Sequence, residues 1–138
     1  MKVRKVIRVM SCGYKYGAPP AGAVFHLDCR TFDNPFYLDE LRPLTGEDKP
    51  VQDYLESCAP VRKALSALAT MIGAILPGHL ISNKYHPDEI KLVFACQGGK
   101  HRSQFFARRA AQYIDELLAA NPDWDCRIIV EHRDNGKE

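Results

Sequence analysis

The sequence predicts an α/β domain with a largely parallel sheet flanked by helices. Three observations carry that expectation. Short apolar runs rich in strand formers recur at Val3–Met10, Ala23–Arg30, Ile90–Ala95 and Cys126–Glu131. Patterns of helical period stand among them, one with apolar residues at Val61, Leu65, Leu68, Ile72, Ile75 and Leu76. Strands alternating with helices favour parallel pairing, because each crossover returns the chain to the same end of the sheet. The length of 138 residues is enough for one domain with a real core and too short for two comfortable ones, so residues 1–138 are read as one unit.

The elements follow in order. Val3 to Met10 alternates loosely, setting Val3, Ile7 and Val9 against Lys2, Arg4 and Arg8. Ser11 to Pro20 is a loop by its Gly and Pro content, and it holds Lys15 between Tyr14 and Tyr16. It is either a ligand-contacting loop or an ordered turn with a surface lysine. Ala23 to Arg30 is a second strand with His26, Asp28 and Arg30 on one face. Sites in open α/β sheets lie beyond the carboxyl ends of strands, which favours roles for Asp28 and Arg30. Thr31 to Pro50 has no clear period, and loops of that length are often functional. In it, Arg42 and Thr45 could reach an anion, and Phe36 and Tyr37 could wall a pocket or anchor the loop in the core. Val51 to Ser57 reads as a short helix. The next helix starts at Pro60 and is expected to stop at Pro77-Gly78. Its apolar stripe is read as core. Pro77 to Pro87 is a connection, in which His79 and His86 are too isolated to suggest a metal site. After the third strand comes a helix over Gln104–Ala120, then a turn at Asn121–Asp125, then the last strand, followed by His132-Arg133-Asp134.

Composition narrows the function. Net charge is +2, so there is no global electrostatic case for nucleic acid. No apolar run in the sequence is read as a membrane span of roughly 20 residues, and the charged N-terminus lacks a signal-peptide core. The expectation is a cytoplasmic protein with no membrane partner. Cys12, Cys29, Cys58, Cys96 and Cys126 are odd in number and show no C-x-x-C spacing, so neither a disulfide framework nor a metal is expected, and no cofactor is implied.

The stretch that stands out is Cys96-Gln97-Gly98-Gly99-Lys100-His101-Arg102-Ser103, a two-glycine turn between a strand and a helix. The first backbone N–H groups of such a helix have no intrahelical partner and point outward at the positive end of its dipole. Gly98 and Gly99 let a ligand approach the backbone. Lys100, His101 and Arg102 place cations where a helix ordinarily prefers acids, and a local rule broken in one place marks function. The stretch reads as a phosphate or carboxylate cradle.

Two resemblances follow from these residues. Cys96 to Ser103 fits C-x-x-G-x-x-R-S/T, which resembles the signature loop of cysteine-dependent phosphatases. That resemblance implies Cys96 as nucleophile and Arg102 as the clamp on phosphate oxygens. The family's usual histidine before the cysteine is replaced by Ala95, and no single aspartate stands out as general acid; Asp28, Asp39 and Asp48 are candidates by elimination.

The second resemblance spans nearly the whole chain. Ser11-Cys12-Gly13-Tyr14-Lys15-Tyr16-Gly17, Asp28-Cys29-Arg30 with Asn34-Pro35, Leu41-Arg42-Pro43-Leu44-Thr45-Gly46, Cys96 to Ser103 and His132-Arg133-Asp134 occur in one order. This resembles the C-terminal domain of the RNase adapter protein RapZ family, here standing alone. The family's P-loop pattern G-x-x-x-x-G-K-S/T does not occur, so nucleotide hydrolysis is not carried over. The resemblance implies a non-catalytic α/β domain that binds an anionic, phosphorylated small molecule and self-associates as a homo-oligomer. Its enterobacterial member senses glucosamine 6-phosphate and binds small regulatory RNA. The matching ligand positions are Gln97, Gly98 and Arg102, with Phe36 in the earlier loop. Gln97 stands where the family commonly has Thr, and Phe36 where the enterobacterial member has His. Gly99, Lys100, His101 and Ser103 complete the loop, and Lys15, Asp28, Arg30, Asn34, Arg42 and Thr45 are the further candidates. RNA would draw on Lys2, Arg4, Arg8, Lys100, Arg108 and Arg109.

Overall fold

The computed structural model describes residues 3–82, 84 and 88–137, the first two by backbone alone. Four strands form one all-parallel sheet: β1 (Val3–Gly13), β2 (Phe25–Asp28), β3 (Glu89–Cys96) and β4 (Trp124–His132). Their spatial order is β2-β3-β1-β4, which puts β1 and β3 at the centre. Three helices complete the domain: α1 (Lys49–Glu56), α2 (Ala59–Ile81) and α3 (Arg102–Ala119).

Alternation along the strands divides the core between two faces of the sheet. Ile7 and Val9 of β1 and Ile90, Leu92 and Phe94 of β3 share one cluster with Leu65, Leu68, Ile72 and Leu76 of α2 and Phe106, Ala110 and Ile114 of α3. The intervening Met10, Cys12, Val93 and Ala95 form a smaller cluster, covered by Tyr14 and Ala23. A single layer of helices therefore covers one face, while a short loop covers the carboxyl-end half of the other.

The fold corrects several boundaries. Ser11, Cys12 and Gly13 are strand, not loop, because they stay in register with Phe94, Ala95 and Cys96 and are buried there. The short helix starts at Lys49, two residues before the expected Val51, and α3 starts at Arg102, not Gln104. The third correction is α2, which runs through Pro77-Gly78 to Ile81. A proline inside a helix forgoes one backbone bond and crowds the carbonyl four positions earlier, here that of Gly73, a cost that packing must offset. Leu76 and Leu80 are each 1 % exposed, so core packing holds the last turn. Lys5, itself buried, adds a cap: its Nζ donates to the carbonyls of His79, at 2.7 Å, and Ser82.

At 23 residues, α2 is also long and apolar enough to cross a membrane by length and composition, contrary to the reading of the sequence. Its stripe from Val61 through Leu80 packs into the core, so here it serves as a core helix. His86 and Lys2 lie outside the described residues, as does the side chain of Arg4.

Candidate functional site

The glycine loop leaves β3 at Cys96 and enters α3 at Arg102. Gly99 adopts φ +68°, a conformation that L side chains rarely take. A Cβ there would lie 2.7 Å from the Gly13 nitrogen, and one on Gly13 would lie 2.6 Å from the Gly98 carbonyl carbon. The end of β1 and the loop therefore touch backbone to backbone. Neighbouring chains hold the loop from two sides: the N–H of Lys15 donates to the Gln97 carbonyl at 3.0 Å, and that of Gly46 to Lys100 at 2.9 Å.

A cleft of about 390 Å³ opens on one side of this loop. Lys15 and Tyr16 line it from the turn after β1, and Asn34, Phe36 and Tyr37 from the turn after β2. Cys96, Gln97, Gly98, Lys100, His101 and Arg102 form its floor. Arg102 is 4 % exposed. Its Nη1 donates to the carbonyls of Arg30, at 2.8 Å, and Phe32, at 3.0 Å, and so fixes the chain after β2 against the loop. Its Nε is buried without a hydrogen-bond partner, and so is the hydroxyl of Tyr16. A buried donor without a partner is costly and rare, so two beside one cleft make it the candidate site.

The other side of the loop is closed by a polar knot. Asp134 is 2 % exposed and accepts from the Gly13 N–H at 2.7 Å, from Arg133 at 2.9 Å and from Lys137 at 2.8 Å. Burial alone would raise its pKa, but the bonds from Arg133, Lys137 and Gly13 outweigh it and hold the carboxyl at about 2. Arg133 also donates to the carbonyls of Ala18 and Gly17, tying the turn after β1 to the end of β4.

Next to this knot runs a polar chain. His132 lies 2.6 Å from the Ser11 hydroxyl through Nδ1 and 3.0 Å from Glu47 through Nε2, and Glu47 pairs with Arg108 at 2.7 Å. The Arg108 hydrogen bonds hold the Glu47 carboxyl below its ordinary range, against the opposing effect of burial. Ser11 is fully buried, so this Ser–His–Glu chain is a strut joining β1, β4 and α3, not a nucleophile relay.

Two cysteines lie deep in apolar surroundings. Burial pushes Cys12 up to about 11, and Cys29 well above its ordinary value. Cys96 is 2 % exposed, and its Sγ donates to the Ser103 hydroxyl at 3.2 Å.

With that geometry in place, comparison with known proteins identifies the lineage. The sequence profile of the RapZ C-terminal domain matches residues 5–136. This chain belongs to the RapZ C-terminal domain family. A nucleotide-binding protein of Caldanaerobacter subterraneus is 41 % identical over 134 residues, covering 96 % of this chain and 43 % of that protein. One of Acidothermus cellulolyticus is 38 % identical over 130 residues, covering 94 % and 40 %. One of Thermobifida fusca is 36 % identical over 130 residues, covering 94 % and 40 %. The chain thus spans about two fifths of the length of the curated relatives it matches.

Within this RapZ C-terminal domain the expected site residues separate into groups. Lys15, Asn34, Phe36, Gln97, Gly98, Lys100, His101 and Arg102 meet at the cleft. His101 is buried and its Nε2 donates to the Leu41 carbonyl at 3.1 Å. Gly99 and Thr45 face a smaller hollow on the Asp134 side, and Thr45 bonds to Asp48. Ser103 is buried against Cys96.

Asp28 and Arg30 stand outside the lining and pair with each other at 2.7 Å. Arg42 is also outside it: its Nε donates to the Phe36 carbonyl at 2.8 Å and its guanidinium lies 5.0 Å from the Phe36 ring. Arg42 supports the wall. Of the basic residues expected for RNA, Arg8 pairs with Glu89 and Glu131, Arg108 with Glu47, and Arg109 with Glu56. These pairs engage three of the six residues of that patch.

Asp134 and Tyr16 stand in the sequence within the motifs His132-Arg133-Asp134 and Ser11 to Gly17, but nothing local announces their roles.

Proposed function

We propose that this domain is a non-catalytic sensor that binds a phosphorylated small molecule in the cleft, with the phosphate at Gln97–Arg102. The observation that carries this reading is the buried, unpartnered Nε of Arg102 at the N-terminus of α3. A phosphate oxygen there would satisfy that donor, meet the free amides of the first helical turn and face Lys15 and Lys100. The names of the relatives, nucleotide-binding proteins, agree with an anionic ligand.

The alternative is a phosphatase using Cys96 and Arg102. One observation favours binding over that chemistry. The side chains lining the cleft are cationic, aromatic, amide or thiol, and none is a carboxylate placed to protonate a leaving oxygen.

Calorimetric titration with glucosamine 6-phosphate, the ligand that the family resemblance implies, and with inorganic pyrophosphate tests the reading, with released phosphate assayed in the same cell. Saturable binding of either compound, retained in Cys96→Ser and without phosphate release, is the expected result. Phosphate release that grows with time and disappears in Cys96→Ser would replace the sensor with the enzyme.

A further inference from the structure

One wall of the cleft is a turn held from outside the cleft. Lys15 and Tyr16 belong to the short turn after β1, and both line the cleft. At its start the turn is tied to the glycine loop, by the Lys15 N–H to the Gln97 carbonyl at 3.0 Å. At its end it is tied to Arg133. The guanidinium donates from Nη1 to the Ala18 carbonyl at 2.6 Å and from Nη2 to the Gly17 carbonyl at 3.0 Å, with a longer bond to the Gly13 carbonyl at 3.3 Å. Arg133 is not among the residues that line the cleft.

Arg133 is itself fixed. Its backbone N–H carries the β1–β4 ladder one step further, to the Ser11 carbonyl at 3.0 Å. Buried Asp134 accepts from Nε at 3.1 Å and from Nη2 at 2.9 Å. The guanidinium therefore spans from that carboxylate to the turn. A planar fork of donors can do this, whereas a lysine ammonium is a single point charge. Lys137 reinforces the link, pairing with Asp134 at 2.8 Å while its Nζ lies 5.9 Å from the Tyr16 ring centroid. A lysine and a tyrosine on a free turn would lose mobility when a ligand arrives; on a braced turn that loss has already occurred in folding. The Tyr16 hydroxyl, buried without a partner, also needs a defined place to meet a ligand.

We infer that Arg133 is a positioning residue for the cleft: it holds the Lys15–Tyr16 turn where a phosphorylated ligand meets it, and does not itself touch the ligand. This rests on the phosphate-sensor reading above and adds how one wall of that site is set.

The test measures affinity for glucosamine 6-phosphate and inorganic pyrophosphate by calorimetry, with the folding of each variant checked by its melting curve. Arg133→Lys keeps the charge beside Asp134 and should bind about tenfold more weakly. The pair Lys15→Ala with Tyr16→Phe should lose a similar factor, and adding Arg133→Lys to that pair should cost less than about twofold more. An arginine with a purely structural role would cost the same factor in both backgrounds, or none in either. Either result, or an unchanged affinity in the pair, would overturn the inference. Gly17→Ala disturbs the turn from its own end, since its φ is +126° while an added Cβ would meet nothing within 4 Å. It should weaken binding as Arg133→Lys does, and it decides the matter if Arg133→Lys does not fold; unchanged affinity in Gly17→Ala would overturn the inference. All these results leave the phosphate reading intact, whereas no binding of either compound by the parent protein would overturn that reading and the inference with it.

Discussion

The two sides of the glycine loop differ in how their buried polar groups are satisfied. On one side Asp134 meets Arg133, Lys137 and the Gly13 N–H, a closed knot of bonds between the ends of β1 and β4. On the other, Arg102 Nε and the Tyr16 hydroxyl are buried with no partner. Both sides are rich in charge, and charge alone would not tell them apart. A satisfied network holds the fold, whereas unsatisfied donors beside an open cleft are what the proposed ligand would satisfy. The same loop therefore has a structural face and a proposed binding face.

The sharpest way to break this contrast is Asp134→Ala. Removing one partner of a buried ionic cluster costs about 3–5 kcal/mol, because Arg133 is left without its counter-charge. Urea unfolding should show a midpoint lowered accordingly; a change below about 1 kcal/mol would mean that the knot does not hold the fold. Gly99→Ala attacks the seam between the two faces. The left-handed conformation alone costs about 1–2 kcal/mol for a residue with a Cβ. The 2.7 Å approach to the Gly13 nitrogen adds to it, since backbone cannot step aside as a side chain can. The same urea experiment reads this loss.

Acid should separate the faces without mutation. The Asp134 pKa is lower in the folded protein, at about 2 against an ordinary 3.8. Its contribution of about 2 kcal/mol is therefore complete above pH 4 and is lost as pH falls through 2. Comparing the acid limb of the stability curve with that of Asp134→Asn should show this increment missing from the variant. The smallest effect is expected at Tyr16→Phe. Its hydroxyl makes no bond in the free protein, so stability should stay within about 0.5 kcal/mol of the parent. If the hydroxyl meets the ligand, affinity should fall by about 0.5–1.5 kcal/mol, roughly two- to tenfold by calorimetry. Unchanged affinity would confine the binding face to Arg102 and the loop.

The sheet and the glycine loop were legible because their signals are local. Strand formers flank the turn, and Gly98-Gly99 followed by Lys100-His101-Arg102 breaks helix preferences in one short stretch. Arg42 and Thr45 show where the same kind of reasoning stops. Their residue types suit an anion, but each is already bonded within its own loop, to Phe36 and Asp48. Pro77 misled for the opposite reason: a local stop signal was overridden by the burial of Leu76 and Leu80.

By itself the sequence determined the α/β class and the family and singled out the glycine loop, since each depends on residues close together or on motifs kept in order. Only the tertiary structure decided which charges are spent and which are available. The bond from Gly13 to Asp134 spans 121 positions in the chain, and Arg102 reaches the carbonyls of Arg30 and Phe32 across 72 and 70. No local pattern announces such pairings, because they arise when packing brings the ends of parallel strands together and leaves some donors without partners.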